Sequence, residues 1–251
     1  MIFEIIPALI ALIGVCVAVY TDLRWRIIPD KINYSLIVFG ILYYLFLGLY
    51  RWDLIFALYG GLGALLSFII GYALWLTGGW AGGDVKLFTA LGALLYGYKM
   101  PGGNPIYPVP ITILFNSVIA ILPVLLVYVV VRRVQGHSAL YESVKITQLK
   151  EGMIPAETIY EKDGKIGRWA SRFALKPKWD KSYTNPSRAS GLTRYQVGVL
   201  RRLVRQRKIK NELKIKMGVP FAPALGVGVV IAVFFGDIYW RIILWLFGVY
   251  P

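Results

Sequence analysis

Long apolar stretches separated by short polar breaks fill the first half of the chain and return at its end. A helix needs about 20 residues to cross a hydrocarbon core of about 30 Å. The pattern therefore predicts six spans, at Ile2–Tyr20, Tyr34–Tyr50, Leu54–Leu76, Val85–Tyr98, Ile111–Val131 and Phe221–Tyr250. The fourth stretch is short, so it can cross only where neighbouring protein or a thinned bilayer covers its ends.

A polar insertion interrupts the apolar pattern before the last span. The sequence divides into a membrane domain at 1–131, the insertion at 132–217 and a last membrane helix at 218–251. Thr193 and Gln196 form a capping-box pattern that predicts an amphipathic helix. Alternating apolar positions in Lys208–Met217, and less clearly in Val144–Leu149, predict short strands. The turn-rich linker at 177–191 is expected to be loose.

These patterns predict the fold class and the placement of the parts. We expect an all-α polytopic membrane protein with six transmembrane helices and a small α+β insertion before the last helix. Hydrophobic residues make up 57% of the chain and charged residues 16%, a balance that excludes an ordinary soluble cytosolic enzyme.

The distribution of positive charge predicts the orientation. The chain has a net charge of +15, and the insertion alone carries 21 Lys and Arg against 7 Asp and Glu. Basic loops stay in the cytoplasm, so the insertion and the short loop Asp22–Lys31 are expected on that side. Counting crossings then places both termini outside the cell.

Two residue types that often carry catalysis are nearly missing. Cys16 is the single cysteine and His137 the single histidine, which excludes an intrachain disulfide and any metal site built from several cysteines or histidines. No serine-elbow motif accompanies His137. Carboxylates are therefore the acid-base groups that remain, and we expect no metal and no cofactor.

Two aspartates lie at predicted membrane boundaries on the cytoplasmic side. Asp22 closes the first span, and Asp84 opens the fourth. Two partly desolvated carboxylates that lie close together cannot both ionise easily, so their pKa values separate. One can then activate water while the other protonates a carbonyl oxygen or a leaving amine. Asp237, by contrast, is expected to form a structural ion pair with Arg241, four residues later on the same helix.

Glycines surround the second aspartate. Gly78, Gly79, Gly82 and Gly83 would allow a positive φ and the close approach of an extended substrate strand. Gly82 and Gly83 are therefore predicted to bind substrate. Lys86, two residues after Asp84, is also predicted to belong to the substrate-binding segment. Its charge can bias the ionisation of the two carboxylates or bind phospholipid headgroups, although an interfacial lysine needs no function.

Motifs at these span ends resemble a known family. They are Asp22-Leu-Arg with Ile28-Pro29-Asp30, then Gly82-Gly83-Asp84-Val85-Lys86-Leu87, and finally Val219-Pro220-Phe221-Ala222-Pro223-Ala224. The set resembles the GxGD-type membrane aspartic peptidases, and within them the archaeal type IV prepilin and preflagellin peptidases. Ala81 replaces the first glycine of GxGD, and the four-cysteine zinc site of the bacterial enzymes is absent.

The resemblance implies an activity and a pair of catalytic residues. It implies an aspartic endopeptidase that removes short basic leader peptides from pilin-like or flagellin-like precursor proteins at the cytoplasmic face of the cell membrane. Asp22 and Asp84 match the two catalytic aspartates of the family. Methyl transfer is not expected, because the methylating region of the bacterial enzymes is missing.

Two other functions fit parts of the sequence. In a small proton- or cation-coupled transporter, Asp22 and Asp84 would relay protons or bind cations, but such acids are expected near mid-membrane rather than at helix ends. A membrane-anchored nucleic-acid binder would use the basic insertion and leave the Gly-Gly-Asp motif without a role. We expect the insertion to contact anionic membrane lipids, and no nucleic acid. Its predicted helix supplies a basic face of Arg201, Arg202, Arg205 and Arg207.

Overall fold

The computed structural model describes residues 2–25, 27–77, 79–135, 141–170, 177–186, 191–216 and 221–249, except for the side chains of residues 2–4. Two compact units make up the structure. The first contains Met1–Leu126 and Pro220–Pro251, and the second contains Val127–Val219. Each unit has a hydrophobic core of its own.

The first unit is built from helices, and local sequence fixes several of their ends. Pro29 precedes the second helix, and the Asp53 side chain caps the third by accepting a hydrogen bond from the backbone N–H of Phe56 at 2.9 Å. The helices are α1 (Ile2–Trp25), α2 (Asp30–Tyr50), α3 (Leu54–Leu76), α4 (Gly82–Leu95), α5 (Val109–Val134), α7 (Ala222–Phe234) and α8 (Ile238–Leu246).

The length of these helices decides which of them can cross a membrane. In the described part of the chain, α1, α2, α3 and α5 are long and apolar enough, and α7 with α8 would make a fifth span if the bent pair counts as one. The protein is therefore a multi-pass membrane protein. Four or five candidate spans do not confirm the predicted six.

Helix α4, the predicted fourth span, has 14 residues and a length of about 21 Å. Helices α1, α2 and α3 pack against it, and nearly all of its side chains from Asp84 onward are buried. Glycines permit the closest of these contacts, because a Cβ on Gly63 of α3 would meet the carbonyl oxygen of Gly92. Protein covers α4 along its length. The helix therefore does not need the run of about 20 apolar residues that a helix surrounded by lipid requires.

The predicted last span is broken into two helices. Helix α7 has 13 residues, and α8 leaves it at an angle of 67°. Gly236 has a φ of +82° at the break. The Asn116 amide of α5 donates to the Gly236 carbonyl at 3.0 Å and accepts from the Ile238 N–H at 3.1 Å. These bonds stabilise the bend, because a helix break otherwise leaves backbone groups unpaired.

The expected ion pair between Asp237 and Arg241 is wrong. The buried Asp237 carboxylate accepts hydrogen bonds from Tyr107 at 2.8 Å, from Thr112 at 2.6 Å and from the N–H of Trp240 at 2.7 Å. The Arg241 guanidinium donates instead to the carbonyl of Pro101 at 3.3 Å. The bend at Gly236 turns the carboxylate towards α5, which sequence spacing along one straight helix could not predict.

The second unit combines two small sheets with one helix. Strand β1 (Tyr141–Val144) pairs with β5 (Leu213–Lys216), while β2 (Thr158–Lys162) lies between β3 (Lys165–Trp169) and β4 (Lys181–Ser182); all pairs are antiparallel. A 3₁₀ turn covers Ile146–Gln148, and α6 covers Arg194–Arg205. The core packs α6 residues such as Leu200 against Ile159 and Leu213.

Local patterns in this unit had different outcomes. The start of α6 is confirmed, because Thr193 and Gln196 exchange the bonds of a capping box. The strand predicted within Lys208–Met217 is confirmed as β5 at its C-terminal end. In Val144–Leu149 the structure has a 3₁₀ turn, and the strand lies just before it. The linker at 177–191 contains β4, which its pairing with β2 holds in place.

Candidate active site

The first predicted aspartate lies in the last turns of α1. The Asp22 side chain is buried, with the residue 8% exposed, although the next three residues are exposed. The preceding Thr21 hydroxyl donates to the carbonyl of Ala18 at 3.0 Å within the same helix. The Asp22 carboxylate is therefore buried inside the helix bundle, near the C-terminal end of α1.

The second aspartate lies in the first turn of α4. The Asp84 carboxylate accepts a hydrogen bond from the backbone N–H of Ala81 at 3.0 Å, which satisfies one of the free donors at the helix start. Asp84 is 6% exposed. Forming a charge on a carboxylate that is buried in this way costs free energy.

Helices α1 and α4, which carry the two carboxylates, pack against each other. Each residue is buried, and the Asp22 charge acts on the ionisation of Asp84. A pair of this kind can hold one proton between two groups, so one member is a base and the other an acid at the same pH. The arrangement supplies the two functions that hydrolysis of a peptide bond requires.

The glycines before Asp84 do not have the conformation predicted for them. Gly82 and Gly83 begin α4, and neither they nor Gly79 has a positive φ; Gly78 lies outside the described residues. Their small size remains relevant. A Cβ on Gly82 would meet no atom within 4 Å, whereas one on Gly83 would lie 3.4 Å from Ile28. Gly82 is therefore open and exposed, and Gly83 is covered by the Ile28 side chain.

The ammonium group of Lys86 has a protein partner. Its Nζ lies 2.6 Å from the carboxylate of Asp30 at the start of α2 and 5.3 Å from the centre of the Tyr34 ring. The ion pair joins the first turn of α2 to the first turn of α4. Sequence reasoning missed it, although the Ile28-Pro29-Asp30 motif marked the segment.

Trp80 is a second feature that sequence reasoning missed. Its buried ring contacts Phe88 of α4 in an edge-to-face geometry at 5.4 Å and Phe221, which precedes α7, at 4.9 Å. The loop before Asp84 is thereby held against two helices. A large aromatic residue between two glycine pairs was the available signal. Val219 and Pro220, which precede Phe221 in its motif, lie outside the described residues.

Two sequence families match this chain. A model of the type IV leader peptidase family matches residues 9–125, and a model of the archaeal peptidase A24 C-terminal domain matches residues 116–215. Together they cover most of the chain and occur in the order expected for an archaeal member. The chain is similar to the type IV leader peptidase family over residues 9–125. The resemblance predicted from the motifs is thus confirmed, and the first match includes both Asp22 and Asp84.

Three similar proteins are named as prepilin or preflagellin peptidases. Prepilin peptidase EppA of Methanothermobacter thermautotrophicus is 25% identical over an alignment that covers 95% of this chain and 96% of that protein. The preflagellin peptidase of Methanocaldococcus jannaschii is 33% identical over 39% of this chain and 42% of its own length. The preflagellin peptidase of Methanococcus maripaludis is 34% identical over 38% of this chain and 41% of its own length.

Within the described residues, no group of three or more His, Cys, Asp and Glu side chains is placed to hold a metal ion.

Proposed function

We propose that this protein is an aspartic endopeptidase that removes short basic leader peptides from pilin-like or flagellin-like precursors at the cytoplasmic face of the membrane. The observation that carries the proposal is the buried pair of Asp22 and Asp84 at adjoining ends of α1 and α4. The match of residues 9–125 to the leader peptidase family and the names of the relatives support it. The transporter alternative is not favoured, because both carboxylates lie at helix ends.

In the proposed mechanism the two carboxyl groups have different roles. In this assignment Asp84 holds the proton and Asp22 is ionised. Asp22 accepts a proton from a water molecule as its oxygen attacks the scissile carbonyl, while Asp84 donates its proton to the carbonyl oxygen. The proton on Asp22 then passes to the leaving amine and the C–N bond breaks, while one hydroxyl of the tetrahedral intermediate returns its proton to Asp84 as the new carbonyl forms.

Substrate contacts are proposed for the first turn of α4. The open surface at Gly82 lets an extended peptide backbone approach within hydrogen-bonding distance. Gly83 and Lys86 belong to the same proposed substrate-binding segment. Gly83 positions the segment by packing on Ile28, and Lys86 positions it through its ion pair with Asp30. These contacts place α4 next to the bond that is cleaved.

The remaining features of the proposal concern the membrane. We propose six crossings, with the enclosed α4 and the bent α7–α8 pair each counted as one, and with both termini outside. The membrane parts are 1–131 and 218–251, and the insertion is 132–217. The basic face of α6 contacts anionic lipids through Arg202, Arg205 and Arg207, since Arg201 donates to the carbonyl of Leu149 at 2.8 Å.

Cleavage of a pilin-like precursor by the full-length protein in detergent tests the proposed function. Asp22→Asn and Asp84→Asn should each lower the rate by at least about 100-fold, because asparagine keeps the size of the side chain but cannot transfer the proton. Asp163→Asn is the matched control, because Asp163 lies in an exposed turn of the second unit. Near-normal turnover by either site variant would refute the carboxylate pair.

A further inference from the structure

The second unit contains a cavity of about 490 Å³ whose lining is mostly charged. Four basic residues line it, together with two carboxylates and two isoleucines. The basic residues are Arg168, Lys208, Lys210 and Lys214, and the carboxylates are Glu157 and Glu212. The volume lies in the range of small-molecule sites. The lining has an excess of two positive charges.

Arg168 and Glu157 compensate each other. The Arg168 guanidinium donates to the Glu157 carboxylate at 3.2 Å, and the same carboxylate accepts the backbone N–H of Lys214 at 3.2 Å. Glu157 is buried, with the residue 6% exposed. This part of the lining therefore has its charges and hydrogen bonds satisfied within the protein.

The loop that carries two of the lysines is held in place by several bonds. Arg168 donates to the carbonyls of Lys210 at 3.1 Å and of Glu212 at 2.8 Å. The Asn211 side chain accepts from the backbone N–H of Thr147 at 3.1 Å, and Ser143 donates to the Glu212 carboxylate. The loop from 208 to 212 is thus preorganised by contacts from β1, β3 and the 3₁₀ turn.

The three lysine side chains of the lining, unlike Arg168 and Glu157, are not paired with groups in the described part of the protein. Among the residues that the structure describes, no carboxylate or carbonyl lies within bonding distance of the ammonium groups of Lys208, Lys210 and Lys214. Like charges around one cavity repel each other, and the repulsion is relieved when an anion binds between them. A phosphate group accepts several charge-assisted hydrogen bonds at once and matches this arrangement.

We propose that this cavity binds a phosphate group carried by a small organic moiety. Lys208, Lys210 and Lys214 bind the phosphate, and Ile166 and Ile209 provide an apolar wall for the attached carbons. A basic leader peptide would be repelled by the same lysines, so the site is separate from cleavage and goes beyond the proposed function. A phospholipid headgroup and a soluble phosphate ester share this chemistry.

Binding to the full-length protein in neutral detergent tests the proposal. The probes are inorganic phosphate, glycerol phosphate and phosphatidylglycerol, with phosphatidylcholine as the uncharged comparison. The variant K208Q/K210Q/K214Q should weaken binding of the phosphate-bearing probes by at least about tenfold. The matched control K145Q/K150Q/K162Q removes the same charge at exposed positions outside the cavity and should change affinity less than about twofold.

The probes also identify the source of the phosphate. Tight binding of phosphatidylglycerol alone assigns a lipid headgroup, and tight binding of glycerol phosphate assigns a soluble ester. If the cavity variant unfolds at a lower temperature than the wild type, the single variants K208Q, K210Q and K214Q are used, each of which should weaken binding. Equal loss in the cavity and control variants, or no saturable binding of any probe, would overturn the proposal.

Discussion

At the residue scale, the Asp84 carboxylate is buried and caps α4 by accepting a hydrogen bond from the Ala81 N–H at 3.0 Å. An asparagine at this position would keep the size of the side chain and an oxygen that can accept the same hydrogen bond.

Asp84→Asn should therefore leave the protein folded although cleavage is lost, because the amide oxygen can still accept the Ala81 N–H. Thermal unfolding in detergent measures the effect, with Asp163→Asn as control. An unfolding temperature of Asp84→Asn far below those of the wild type and the control would contradict it.

Arg207 has a backbone conformation that costs free energy. It follows α6 with a φ of +55°, and the next N–H, that of Lys208, bonds back to the carbonyl of Leu203 at 3.0 Å. Glycine is the usual residue in this left-handed position. Arg207→Gly should therefore stabilise the protein by about 1 kcal/mol.

A glycine placed two residues earlier should have the opposite effect. Arg205 is the last residue of α6, so Arg205→Gly should destabilise the protein by up to about 1 kcal/mol. Both variants remove one positive charge, which separates backbone effects from electrostatics. Thermal or denaturant unfolding distinguishes them, and equal shifts in the same direction would show that the conformation at 207 is not responsible.

At the scale of helices, close packing of α3 on α4 positions Asp84. A Cβ on Gly63 would meet the carbonyl oxygen of Gly92, whereas one on Gly61, on the same helix, would meet no atom within 4 Å. Gly63→Ala should destabilise the protein by about 1–3 kcal/mol and lower cleavage, because α4 must shift away.

Gly61→Ala is the control for that change. Alanine favours the helix and meets no neighbour, so stability should be unchanged or rise by up to about 1 kcal/mol, with normal cleavage. Unfolding temperature and cleavage rate are measured for both variants. Normal stability and activity of Gly63→Ala would show that the contact between α3 and α4 is looser than the structure indicates.

At the scale of the whole molecule, the proposed topology predicts which surfaces are accessible from each side. Cys16 is replaced by serine, and single cysteines are then placed at Ile106, in an exposed loop before α5, and at Lys162, in the second unit. An impermeant thiol reagent should label position 106 only from outside and position 162 only from the cytoplasm. Labelling of both positions from one side would refute the proposed orientation.

The sequence alone determined the features that depend on neighbouring residues in the chain. Apolar runs predicted the long helices α1, α2, α3 and α5, and the Thr193 and Gln196 pattern predicted the start of α6. The motifs around Asp22 and Asp84 led to the family. Each of these signals is contained in a short window, because helix formation and capping depend on residues three or four positions apart.

Only the tertiary structure decided the features that join distant parts of the chain. The Asp30–Lys86 pair connects two helices, Asn116 of α5 stabilises the bend at Gly236, and protein rather than lipid covers α4. Gly82 and Gly83 are helical because the Asp84 cap and the packing of α4 fix the first turn there. Such contacts depend on how helices pack. An apolar run predicts that a helix is buried, but it does not predict which other helix packs against it.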